Sequence, residues 1–368
     1  GSEESFDLYR SWLRECMEQH QGCKNLREKL RQYCPPRLID VSDKKNICIY
    51  DAPTCSSAIP YAALSYCWGS DQESKTVHKN LEKRRNGFPL AELPRTIRDA
   101  AITTQRLGLR YLWVDAICII QDDLTDKQQQ IAVISKIYSA ASITIVAARA
   151  ATADDGFLQP RDLDRCYGAV FRVKYHRKNS KGVEEIISAF LSANSLDITY
   201  DDPIDARGWT YQESRRSLRN LRFGSKQTVW DCPKNRRIDG GNNSEVLQET
   251  SRSFFTGTIS DKRFPYHPND PNGKLEWEHA LGDWQKSVSE YSERELGSIT
   301  DRLTAFASTA KAFTTFSGMG PEHYLAGLWD FNICMELRWS RREDTLGEGW
   351  CNKRYGPTWS WSSLNAPI

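Results

Sequence analysis

Three short apolar runs, Tyr61 to Trp68, Tyr111 to Ile120 and Ser142 to Ala147, are separated by stretches in which apolar residues recur every three or four positions. Runs of this length bounded by polar residues read as strands buried on both faces, and the longer recurrence reads as a helix with one apolar side. Leu93-Pro94 opens the first helix, Ile97, Ala100, Ala101, Thr104 and Leu107 line its face, and Gly108 closes it. The second begins at Asp126, with Ile131, Ile134, Ile137 and Tyr138 on one side. Strand, helix, strand, helix, strand predicts βαβ units and an α/β fold built on a parallel sheet flanked by helices. Ligands of such sheets bind outside the carboxyl ends of the strands. Here those ends are Tyr66-Cys67-Trp68-Gly69 and Cys118-Ile119-Ile120-Gln121-Asp122.

The flanks read differently. Ser5 to Leu30 is helical, with Tyr9, Trp12, Leu13 and Cys16 at helical spacing, and Pro35-Pro36 ends it. Arg37 to Val41 and Asn46 to Tyr50, joined by Ser42-Asp43-Lys44-Lys45, predict a β-hairpin. After the third run comes a loop, Thr152 to Arg161, and a strand excursion, Phe171 to Tyr175 and Ile186 to Leu191. Arg207-Gly208-Trp209-Thr210-Tyr211-Gln212-Glu213 is followed by an expected basic helix and an apolar strand, Thr228 to Asp231. Asn235 to Asp270, rich in Asn, Gly, Ser and Pro, reads as a loop or linker before a last unit running from Trp277 to Trp361. The expected division is an N-terminal helix and hairpin over 1–60, an α/β domain over 61–234 with an insertion at about 152–203, and a linker with a mixed C-terminal extension over 235–368.

Composition narrows the classes. The 368 residues carry a net charge of +2, which gives no electrostatic reason to expect nucleic acid or an anionic membrane as partner. No apolar run approaches the roughly 20 residues of a membrane span. The 11 cysteines are odd in number and scattered, and Cys67 and Cys118 fall in predicted core strands. That is the usage of a reducing compartment, so a cytoplasmic protein is expected. The leading Gly-Ser reads as the remnant of a cleaved tag, and a truncated C-terminus is expected from an end so close to Trp359-Ser360-Trp361. Trp230, Trp329, Trp359 and Trp361 are assigned to a second packed unit. Cys16, His20, Cys23 and Cys34 raise the question of zinc. Their C-x3-H-x2-C-x10-C spacing is irregular for such a site, and no metal is expected. The run Arg215, Arg216, Arg219, Arg222 reads as a solvated helix face.

Tyr61-Ala-Ala-Leu-Ser-Tyr-Cys-Trp-Gly69, Leu112-Trp-Val-Asp-Ala-Ile-Cys-Ile-Ile-Gln-Asp122, Gly156-Phe157-Leu158 and Arg207-Gly-Trp-Thr-Tyr-Gln-Glu213 resemble, in this order, the signatures of the fungal heterokaryon-incompatibility (HET) domain. The flanks resemble those of HET proteins too, through Trp12, Cys16, His20 and Cys23 before the domain and Asp301-Arg302-Leu303, Ala326-Gly327-Leu328-Trp329 and Trp359-Ser360-Trp361 after it. HET domains are similar to Toll/interleukin-receptor (TIR) domains, several of which cleave NAD with a glutamate in a Trp-x-x-x-Glu motif. Trp209 and Glu213 have that spacing. The resemblance therefore implies a TIR-like, flavodoxin-like core, an NAD glycohydrolase with Glu213 as its catalytic carboxylate, control by self-association, and a cell-death effector role in fungal allorecognition and immunity.

Cleaving the nicotinamide–ribose bond passes through an oxocarbenium-like state. The leaving pyridinium is already cationic, so one carboxylate near the ribose is chemically sufficient. Tyr66 and Trp68 offer faces for a flat ring, Gly69 a close backbone approach, and Asp115, Gln121 and Asp122 acceptors for ribose hydroxyls, with Trp209 beside Glu213. Each has an architectural alternative. Trp209 can be a core anchor with Glu213 paired to Arg207, Arg215 or Arg216, and Asp115 can cap a neighbouring loop. Two other functions stay open: a non-catalytic death-signalling module acting through protein–protein assembly, and a recognition protein that senses through the region after Asn235.

Overall fold

A computed structural model describes residues 1–30, 33–53, 59–161, 170–178, 182, 184–192, 202–239, 271–317, 319–342 and 355–368. The linker expected from Asn235 therefore lies mostly outside the described residues. The chain opens with α1 (Glu3–Glu18) and α2 (Gln21–Leu30), then β1 (Arg37–Asp40) and β2 (Asn46–Asp51). The α/β core follows as β3 (Tyr61–Ser65), α3 (His78–Asn86), β4 (Phe88–Pro89), α4 (Arg95–Arg106), β5 (Tyr111–Trp113), α5 (Asp115–Cys118), α6 (Leu124–Ala140) and β6 (Ile143–Val146). The hairpin β7 (Val170–Lys178) and β8 (Glu184–Ser192) stands where the strand excursion was expected. Then come α7 (Gly208–Arg216), β9 (Asn220–Phe223), β10 (Thr228–Asp231) and β11 (Arg236–Ile238). The C-terminal part holds α8 (Pro271–Ser292), α9 (Arg302–Ser317), the short pair β12 (Tyr324–Leu325) and β13 (Leu328–Trp329), and α10 (Ile333–Glu336).

The expectation of a parallel sheet needs correction. Among the described residues nine strands form one mixed sheet, in the order β11-β10-β9-β6-β3-β5-β1-β2-β4. Only the four central strands are parallel: β3 pairs with β5 and β6, and β6 with β9. The two hairpins on the flanks extend this centre by antiparallel pairing, β1 against β5 and β10 against β9. The physical reason is connection length. A tight turn such as Ser42–Lys45 permits only antiparallel return, whereas β3, β5 and β6 are joined through helices long enough for a crossover. Within the parallel centre the order β5-β3-β6-β9 reverses direction after β5, which makes the β3/β6 boundary a topological switch point.

Asp99 of α4 explains the Gly156-Phe157-Leu158 word. Its buried Oδ2 accepts from Phe157 N at 2.7 Å and Leu158 N at 3.0 Å. Gly156 has φ of +73°, and a Cβ there would sit 2.7 Å from the same oxygen, so glycine meets both demands.

Three local expectations fail. The second apolar run is a strand only to Trp113, because Asp115 starts a single helical turn that carries Ala116, Ile117 and Cys118 into the core. Fully buried turns and strands are equally apolar, so periodicity does not separate them. The third signature lies on α7 itself, and the expected basic helix after it is strand β9. Arg219 is wholly buried and Arg222 sits on β9 against Asp202 and Asp205, at 2.8 Å and 2.6 Å, so the arginine run is no solvated face. Trp230 belongs to the first core, with α1 and the sheet, and Trp359 is exposed. Trp329 and Trp361 do fill a second core, with Trp284, Tyr291, Phe306 and Phe313. Tyr211 of α7 is part of that second core, while Glu213 of the same helix is hydrogen-bonded to Ser65 of β3. Among the described residues no helix is long and apolar enough to cross a membrane.

Candidate functional site

The carboxyl ends of β3 and β5 carry a buried polar cluster. β3 ends at Ser65, and the chain continues through Tyr66, Cys67 and Trp68 along the rim; β5 ends at Trp113, two residues before Asp115. Helix α7, which carries the third signature, packs onto this rim. Ser65 Oγ donates to Glu213 Oε2 at 2.5 Å, and Arg207 Nη1 donates to the Tyr66 carbonyl at 3.1 Å. Trp68 Nε1 donates to Asp115 Oδ2 at 2.8 Å, while Asp115 Oδ1 accepts from Ala116 N at 2.7 Å. Tyr138 of α6 closes the group from behind. Its hydroxyl donates to the Leu64 carbonyl at 2.9 Å and is a further hydrogen-bonding neighbour of Glu213.

Electrostatics follow from burial. Glu213 is 7% exposed, and desolvation pushes its carboxyl from the ordinary 4.5 up to about 7. The Ser65 hydroxyl opposes that rise, the Asp115 charge adds to it, and Arg207 and Tyr138 oppose it. Asp115 is raised too, chiefly by burial, against the Trp68 indole and the Ala116 amide. Two carboxylates thus share the field of one guanidinium, Arg207, and a proton on Glu213 leaves the cluster balanced. Burial also drives the Tyr66 and Tyr138 hydroxyls well above their usual range. Both tyrosines are neutral donors at any working pH.

The predicted residues do not all meet. Glu213, Tyr66, Trp68 and Asp115 come together. Gly69 lies exposed on the same rim, with φ of +74°. Gln121 acts on the backbone: its Nε2 donates to the carbonyls of Asp115 at 3.0 Å and Ile119 at 3.3 Å, which closes the α5 turn. Asp122 is exposed and accepts from His78 N at 2.9 Å, fastening the start of α3. Trp209 packs against the C-terminal core, the architectural alternative for that residue. Sequence reasoning missed Ser65 and Tyr138 as partners of Glu213. Ser65 is the last residue of β3, and its hydroxyl reaches Glu213 from the strand end. A second group, Cys16, His20, Cys23 and Cys232, brings four potential metal ligands together at the opposite ends of the central strands, near Ser142 and Arg219.

The fold and site define an α/β domain with a buried glutamate and a half-buried aspartate at the switch-point rim of its parallel strands. Residues 61–213 match the family model described as "Heterokaryon incompatibility protein (HET)". A stretch of 123 residues is 33% identical to "Heterokaryon incompatibility protein 6, OR allele" of Neurospora crassa. That alignment covers 30% of this chain and 18% of the Neurospora protein, so the chain spans about a fifth of that relative's length. No solved structure matches the chain.

Proposed function

We propose that this HET domain is a TIR-like NAD glycohydrolase, a death effector in fungal heterokaryon incompatibility that acts in the cytoplasm once copies self-associate. The observation that carries the reading is the meeting of Glu213 and Asp115, from two signatures far apart in sequence, at the switch-point rim. Ligands of doubly wound sheets bind there. The Trp-x-x-x-Glu spacing of Trp209 and Glu213 and the parallel order β5-β3-β6-β9 support the TIR-like assignment.

In the proposed reaction the bond between ribose C1′ and the nicotinamide nitrogen breaks, and its electron pair stays on the ring nitrogen. Ionised Glu213 stabilises the positive charge that develops on the ribose. Water then adds to C1′ and loses its proton, giving nicotinamide, ADP-ribose and H⁺. Tyr66 and Trp68 flank the ring, and Asp115 accepts from the ribose hydroxyls. In the isolated chain Glu213 is capped by Ser65 and shifted toward its neutral form, which is a resting arrangement. Assembly that opens the rim to water and admits a cationic substrate would restore the carboxylate, with the Ser65 hydroxyl still donating to it, coupling activity to association.

The same capping favours one rival reading: a non-catalytic module in which Glu213 is an internal fastener and death follows from protein–protein assembly. Expression in a fungal host separates the two. The enzyme reading predicts loss of cellular NAD before death, and loss of both effects with Glu213→Gln at equal protein level. Death with undiminished NAD, or death that persists in the variant, refutes it.

A further inference from the structure

We propose that Cys16, His20, Cys23 and Cys232 bind one zinc ion that fastens the N-terminal helices to the edge of the sheet. Their ligand atoms all lie within 4.8 Å of one another, and Cys232 Sγ is 3.6 Å from His20 Nδ1. In a tetrahedral zinc site with the usual bond lengths, sulfur and nitrogen ligands stand about 3.5 Å apart and two sulfurs about 3.8 Å apart. Three soft thiolates and an imidazole are a zinc donor set.

The surroundings fit a bound cation complex. Cys16, Cys23 and Cys232 are buried free thiols, 0%, 1% and 4% exposed. His20 offers Nδ1 to the site, and its Nε2 lies 3.7 Å from Glu15, which also pairs with Arg237. This is longer than a hydrogen bond, and it leaves the Glu15 carboxylate beside the ring nitrogen from which carboxylates orient metal-bound imidazoles. Zinc with three thiolates and one histidine carries a net charge of −1. Arg219 supplies the balancing charge: it is 0% exposed, and its Nε reaches Cys16 Sγ at 3.0 Å. Its Nη1 donates to the neutral Ser142 carbonyl at 3.2 Å, and its Nη2 has no hydrogen-bond partner. A guanidinium buried among neutral groups is costly, and an anionic thiolate cluster removes that cost.

The sequence expectation of no metal rested on spacing that ended at Cys34. The fold leaves Cys34 against the Pro35 carbonyl and brings Cys232, just beyond β10, in its place. The site joins the elbow between α1 and α2 to the β10–β11 edge, far along the chain. A metal there closes a long loop, and its binding energy becomes folding energy.

The test is metal analysis of the full chain, purified reduced from zinc-supplemented cells and gel-filtered into metal-free buffer. The proposal predicts about one zinc per chain, and on exchange with cobalt the visible bands and near-ultraviolet thiolate charge transfer of a tetrahedral site. Cys232→Ser and His20→Ala lose both signals, Cys48→Ser keeps them, and Glu15→Gln weakens zinc affinity roughly tenfold or more. Wild-type protein without zinc and without cobalt bands overturns the proposal even if the variants fail to fold. So does a Cys16–Cys23 disulfide in that protein by mass spectrometry, or zinc content unchanged in Cys232→Ser. None of these readouts depends on NAD, so this inference and the proposed activity stand or fall separately.

Discussion

Replacing Glu213 by Gln keeps the shape and the Ser65 contact while removing one titration, and the consequence is a change in how stability depends on pH. The folded carboxyl holds its proton up to about 7, against an ordinary 4.5. Between those values the folded protein binds more protons than the unfolded chain, so stability falls as pH rises. The protonated-state advantage is complete below pH 4.5 and gone above about pH 7. At about 1.4 kcal/mol per pH unit, the loss over this window is about 3 kcal/mol. Asp115 and the buried Glu336 of the C-terminal core are also raised, so wild type alone gives a composite slope. The difference between wild type and Glu213→Gln cancels the Glu336 slope and leaves Glu213 together with its coupling to Asp115. Urea unfolding of both proteins at intervals from pH 4.5 to 8 should show wild type losing about 3 kcal/mol relative to the variant, with the steepest change near pH 6. A difference that stays flat across the range refutes the argument that burial keeps this carboxyl protonated.

Other perturbations test the frame around the site. Arg222→Leu strands the Asp202 carboxylate, whose side chain is 2% exposed, and should cost about 3–5 kcal/mol in urea unfolding; under 1 kcal/mol contradicts the ion-pair reading. Trp68→Phe removes the indole donor to Asp115 and should cost about 1–3 kcal/mol, with a compensating gain if Asp115→Asn is added; independent, additive effects would break the pairing. Gly69→Ala meets both a φ of +74° and Thr152 Cβ at 2.9 Å, and should lower stability by at least about 1–2 kcal/mol; a neutral result means that the rim loop adapts freely.

Much of this was legible in the sequence, and the failures have identifiable physics. The βαβ centre was readable because helices and strands of a doubly wound core differ in apolar period, and the carboxyl-end rule pointed to Tyr66 and Trp68, whereas Asp115 was expected within the second strand, which in fact ends before it. Glu213 became readable only through family resemblance, since one acidic residue on a short helix carries no signal of its own. The mixed edges of the sheet were half visible: the Arg37–Tyr50 hairpin was clear, but nothing in its pattern says that β1 docks on β5. Arg219 misled because charge usually means solvent, and here a buried guanidinium faces Cys16. Cys232 was invisible as a ligand because its partners lie at the other end of the domain in sequence, and short-range spacing is the only ligand signal a single sequence offers. Trp209 and Trp230 show the limit for aromatics: composition says that they are buried, not in which core.

The most direct test of the account is release of nicotinamide from NAD by the purified chain, followed by chromatography while copies are forced together by crowding or a fused oligomeric tag. The account predicts turnover that rises with assembly and falls by at least about a hundredfold in Glu213→Gln, with that variant still folded by circular dichroism. Assembled wild-type protein that leaves NAD intact, or a variant that matches its rate, contradicts the claim that the carboxylate beneath Ser65 is the reactive group.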